Sequence, residues 1–234
     1  MFHVGESFAT PIGYLNTTDV GVTINDEDAN LCTQPPTPSK EPGWFLWPMI
    51  VGGVPPAGHH QGYGQVGVMR SPGWSLPRFF NESDSGACLV GQEGPACFDR
   101  SWVLSPAWTV HTTHRFYVRY RPYHTYTGCW GGCFSYGMDD TILGVSPFNP
   151  SNPNGYWTQG WSSQFYGETH NMADDLPEVQ FTNIQYRNDL TTWVRPPGPG
   201  HLSSTSPYLK CEWLNNPIAF MVWSNHLDAQ PCAA

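Results

Sequence analysis

No run of a dozen residues in this chain carries a sustained 3.6-residue apolar period free of proline and glycine. A long amphipathic helix therefore cannot be built from it, because proline removes an amide donor and glycine weakens a helix interior. The 24 glycines and 23 prolines are spread along all 234 residues. Short apolar runs stand between them: "WFLWPMIVGG", "GQVGVMR", "RSWVLS", "WTVHTTHRFYVRYR", "TILGVS", "EVQFTNIQYR", "PYLKCEW" and "PIAFMVW". That spacing predicts an all-β chain: an antiparallel β-sandwich of jelly-roll type with long structured loops and few or no helices.

One stretch shows the alternation directly. From Arg115 to Arg121, Phe116, Val118 and Tyr120 fall on one face and Arg115, Tyr117, Arg119 and Arg121 on the other. This is the period of a strand with one buried side, and Pro122 marks its end. The three arginines stand out in an acidic chain and form a candidate interface. Residues 1–43 contain one short strand, "DVGVTI", and the linker-like "TQPPTPSKEPG". They are expected to form an extended arm, with the sandwich domain at 44–234.

Composition excludes several classes. A formal charge of -9 and only two lysines argue against a nucleic-acid partner, since phosphate binding needs clustered basic side chains. No apolar run approaches the roughly 20 residues of a membrane span. Aromatics make up 15% of the chain, more than a disordered protein carries, so a packed core is expected.

Seven cysteines with few lysines suggest disulfides in an extracellular or virion-surface setting, although no signal-peptide pattern opens the sequence. Cys88 with Cys97, Cys129 with Cys133 and Cys211 with Cys232 are the candidate pairs, leaving Cys32. Spacing alone does not fix this connectivity. Asn16 and Asn81 begin glycosylation acceptor patterns. A zinc reading of Cys129-x3-Cys133 beside His111, His114 and His124 lacks a second close ligand pair, and residues three apart on a strand face opposite ways.

For chemistry, no nucleophile elbow, phosphate loop or zinc-protease motif occurs. Acidic residues in the loops permit a carboxylate pair, Glu168 with Glu178 or Asp140, as a glycosidase would need. Asp174 and Asp175 are the candidate oxygen ligands for a structural Ca²⁺, and no other cofactor is expected. The aromatic loop "NPSNPNGYWTQGWSSQFYGETHN" places Trp157, Trp161, Tyr166, His170 and Asn171 among amides and glycines, a mixture suited to stacking on a sugar ring.

The order "SPAWTVHTTHRFYVRYRPY", "GYWTQGWSSQFYGETHN", "EVQFTNIQYRND" and "YLKCEWLNNPIAFMVWSNH" resembles concanavalin A-like (laminin G-like) jelly-roll domains over about residues 45–228. The resemblance implies a jelly roll and glycan binding. It does not carry over that fold's glucanase activity, whose paired glutamates on one strand are missing here. The expectation is therefore a non-catalytic extracellular or particle-surface protein, binding glycan or neighbouring subunits of an assembly or homo-oligomer. A virus or phage structural protein and a carbohydrate-active enzyme are the alternatives.

Overall fold

The computed structural model describes residues 2–9, 17–25, 43–52, 57–60, 62–71, 77–84, 88–92, 98–103, 111–121, 133–147, 160–169, 175–187, 193–196, 200–214 and 219–224. Fourteen strands follow one another, with no helix among the described residues: β1 (Phe2–Ala9), β2 (Thr17–Ile24), β3 (Trp44–Gly52), β4 (Tyr63–Arg70), β5 (Arg78–Asp84), β6 (Phe98–Val103), β7 (Thr113–Arg121), β8 (Cys133–Met138), β9 (Thr141–Pro147), β10 (Gly160–Thr169), β11 (Val179–Arg187), β12 (His201–Ser204), β13 (Leu209–Trp213) and β14 (Phe220–Ser224). They form two seven-stranded sheets, ordered β12-β1-β10-β3-β4-β5-β6 and β13-β14-β11-β2-β7-β8-β9. All named pairings are antiparallel. The sandwich expected from the spacing of apolar runs is the fold observed.

Alternation explains the packing. The first sheet sends Val4, Trp44, Leu46, Val66, Val68, Phe79 and Phe165 inward, and the second answers with Val20, Val22, Phe116, Val118, Phe181 and Phe220. Phe79 meets Phe116 across the gap at 5.7 Å between ring centroids, and Phe181 stacks on Phe220 at 4.9 Å. Each such burial is worth about 1.5–3 kcal/mol against exposure, so the paired inner faces hold the sheets together. In β7 Phe116 and Val118 are buried on the inner face and Arg115 is exposed on the outer one, where Tyr117 is nevertheless covered as well. The strand ends at Arg121, as Pro122 requires.

Where residues 1–43 are described, they are strands of the sandwich. β1 lies between β12 and β10, and β2 between β11 and β7, so this segment gives one internal strand to each sheet. Hydrogen bonding on both edges, rather than composition, fixes its place. Pro48 sits inside β3, where a proline has no amide to donate. The β3–β4 register passes from Leu46↔Val68 to Met49↔Gln65 around it. Opposite this gap Gly67 is obligatory: a Cβ there would lie 2.0 Å from the Leu46 carbonyl oxygen and 2.9 Å from the Phe80 ring.

Two cysteine expectations meet the structure. Cys88 is disulfide-bonded. Cys211 is a free thiol, which corrects the expected bond to Cys232. Its strand packs the side chain against the core, and burial, then the neighbouring Glu6 carboxylate, push the thiol pKa up. Cys32, Cys97, Cys129 and Cys232 lie outside the described residues, as does the side chain of Cys133. Asn81, which opens one of the glycosylation acceptor patterns, is only 3% exposed, and its side chain faces the sandwich interior beside Gly144. Asn16 lies outside the described residues.

Candidate active site

The outer face of the first sheet, turned away from the second, carries the richest set of chemistry-bearing side chains. Outward positions on β3, β4, β5 and β10 repeat every second residue: Phe45, Trp47 and Met49; Tyr63 and Gln65; Phe80 and Glu82; Gln164, Tyr166 and Glu168. With His3 of β1 and Ser203 at the β12 edge they line a cleft of about 340 Å³. Phe45, Trp47, Met69 and Phe80 form a second apolar cluster beneath it, with Phe45 and Phe80 edge to face at 5.7 Å. The floor is rigid and apolar, so polar groups on it act in a poorly solvated setting.

Two carboxylates stand at opposite ends of this cleft. Glu82, 4% exposed, pairs across strands with Gln65, and Gln65 with Met49 and then Gln164. Gln65 Nε2 donates to Glu82 Oε1 at 3.2 Å, and the Tyr63 hydroxyl donates to the same oxygen. Glu168, 7% exposed, accepts from Trp47 Nε1 at 3.1 Å through Oε2 and lies 3.5 Å from His3 Nε2. Both acids are thus held by neighbouring donors on adjacent strands, as positioned functional carboxylates are.

The inward face of the same sheet holds a third acid in another condition. Glu6 is fully buried, neither of its oxygens has a hydrogen-bond partner of normal geometry among the described residues, and burial pushes its carboxyl up to about 8. The Gly200 backbone pulls the other way.

The sequence-derived candidates divide. Tyr166 lies in the cleft, but on β10 in the middle of the sheet rather than on a loop. Trp161 is on the same strand with its side chain outside the described set, and Trp157, His170, Asn171 and Asp174 lie outside it altogether. Glu168 faces the cleft, whereas Glu178 precedes β11 of the other sheet and accepts from Asn25 Nδ2 at 2.8 Å. Asp140 lies exposed in the turn before β9. The proposed carboxylate pairs therefore do not converge, because their strands belong to different layers. Asp175 is buried beside β11, and among the described residues no group of three or more His, Cys, Asp or Glu side chains is arranged to hold a metal.

Of the expected interface arginines, Arg115 and Arg119 fall on the outer face of the second sheet. Arg115 Nε donates to Asp19 Oδ1 at 2.6 Å, Arg119 lies over the Tyr117 ring at 5.1 Å, and Arg115 and Arg187 both approach Trp193. Burial raises the Asp19 pKa, opposed first by the Arg115 hydrogen bond. The side chain of Arg121 lies outside the described set. Sequence reasoning missed Gln65, Glu82, Tyr63, Trp47 and His3. The signal available was outward polar positions at two-residue spacing in "YGQ" and "FFNES", hidden by flanking residues that are buried as well.

No family model matches this chain, and no curated protein matches it. Among solved structures it is similar to SCP-B, described as a member of the eqolisin family of peptidases and solved with the tripeptide Ala-Ile-His. The TM-score is 0.51 at 10% identity, covering 95% of this chain and 98% of that one. The likeness is one of fold. It runs against the expectation of a non-catalytic glycan-binding or assembly protein, because the fold matched over 95% of this chain is one that a peptidase also uses.

Proposed function

We propose that the protein is a hydrolase of peptide bonds whose reaction takes place at Glu82 and Gln65. The reading rests on one observation above the others: a buried carboxylate and a carboxamide, 3.2 Å apart on adjacent strands, at the floor of an aromatic-walled cleft. The full-length likeness in fold to a peptidase supports it.

The chemistry follows from what each group can do. The Glu82 carboxylate takes a proton from water as the water oxygen attacks the carbonyl carbon of a bound amide. Negative charge then grows on the carbonyl oxygen, where an N–H of the Gln65 carboxamide is the donor. When the carbon–nitrogen bond breaks, the protonated Glu82 returns its proton to the leaving amine. Tyr63 fixes the carboxylate through its hydroxyl, and Phe45, Phe80 and Met49 keep bulk water from the reacting atoms.

The test is cleavage of a mixed-sequence peptide pool followed by mass spectrometry. The wild-type protein is expected to release new termini. Glu82→Gln should lower kcat/KM by about 100-fold or more, and Gln65→Ala by a similar factor, with unchanged unfolding midpoints. A wild-type protein that cleaves no member of the pool, or a Glu82→Gln protein with full turnover, overturns the reading.

A further inference from the structure

The far end of the cleft is built differently from the end that holds Glu82, and the geometry points to a subsite for a protonated amine formed by Glu168, Trp47, Tyr166 and His3. This deepens the hydrolase reading, since it assumes that the cleft takes the substrate chain. Trp47 and Tyr166 lie with ring centroids 5.1 Å apart, tilted by 35°. His3 stands edge-on to both, at 6.2 Å from Trp47 and 6.0 Å from Tyr166. Glu168 is fixed among these rings by the Trp47 indole N–H at 3.1 Å. A carboxylate beside aromatic rings in one cleft attracts an ammonium group through its full charge, and the ring quadrupoles add to that attraction. His3 Nε2 lies 3.5 Å from Glu168, so the ring and the carboxylate stand together at this end of the cleft.

Register gives the separation from the reaction centre. Glu168 pairs with Phe45 and Phe45 with Met69, while Glu82 pairs with Gln65 and Gln65 with Met49, so the two acids are three strands and four residues apart. On a flat sheet that is roughly 20 Å, which an extended peptide covers in about six residues. The amine is therefore either the free N-terminus of a short peptide or a lysine side chain about six residues from the cleaved bond.

Binding can be measured apart from turnover by titrating the Glu82→Gln protein calorimetrically with three otherwise uncharged octapeptide amides. One has a free N-terminus and no lysine. A second is N-acetylated with lysine first, and a third is N-acetylated with norleucine first. At least one of the first two is expected to bind 10-fold or more tightly than the third, and which one does so assigns the amine's source. Adding Glu168→Gln should abolish that preference, and Tyr166→Leu should reduce it several-fold with folding unchanged. Equal binding of all three peptides, or a preference that survives both substitutions, overturns the subsite. An amine preference without any cleavage by the wild-type protein would instead sink the hydrolase and leave the subsite standing.

Discussion

Neighbouring residues of the first sheet lead opposite lives. On β10, Phe165 points inward and is fully buried among the residues between the layers, while Tyr166, next in the chain, points outward into the cleft. The acids divide in the same way. Glu168 on the outer face has an indole donor, whereas Glu6 on the inner face of the adjacent β1 has no side-chain donor among the described residues and is displaced to a pKa of about 8. One sheet therefore divides its side chains by parity alone: inward positions hold the layers together and outward ones line the cleft.

The comparison predicts unequal costs for adjacent substitutions. Phe165→Ala should destabilise by about 3–5 kcal/mol, the usual loss for a fully buried phenylalanine, while Tyr166→Ala should change stability by less than about 1 kcal/mol. Urea unfolding of both variants decides the matter, and equal losses would break the division between faces.

A smaller effect is expected from the inward acid. The unfolded chain releases the Glu6 proton near its ordinary value of 4.5 and the folded protein near 8. Between those values the unfolded state binds fewer protons, so stability falls as pH rises through this window. The expected drop is on the order of a few kcal/mol, and Glu6→Gln should flatten this part of the profile. A wild-type unfolding midpoint that does not move between pH 5 and about pH 8 would show that Glu6 has found a donor.

The second sheet provides the mildest case. Arg115→Ala removes the partner of Asp19, a carboxylate that is itself buried. Because the Arg115 side chain is 46% exposed and well hydrated, the loss should be about 1–2 kcal/mol, below that for breaking a fully buried pair. Thermal melts of Arg115→Ala, Asp19→Asn and the double variant would give the coupling.

Much of the fold was legible because apolar alternation survives wherever one face is buried. β7 and β11 declare themselves in "RFYVRYR" and "EVQFTNIQYR" for that reason. β10 has the sequence of an aromatic loop because its outer face carries Gln164, Tyr166 and Glu168 and its inner face includes Gly167, where a Cβ would strike Leu176 at 2.5 Å. Polar residues on one side and steric need on the other erase the strand signal. β5, "RFFNESD", was missed for a related reason: all but its first residue are buried, so its polar residues mark no exposed face.

By itself the sequence determined that this chain builds strands and structured turns, because proline and glycine spacing forbids long helices and the apolar runs suit half-buried sheets. It also determined that Phe116 and Val118 would face inward together. Only the tertiary structure decided which strands became neighbours, and the candidate site follows from that. Glu82 meets Gln65 because β5 pairs with β4, and Glu168 meets Trp47 because β10, far along the chain, pairs with β3. Local pattern sets the face on which a side chain stands. Long-range pairing of backbones sets what stands beside it, and no periodicity within a strand encodes that choice.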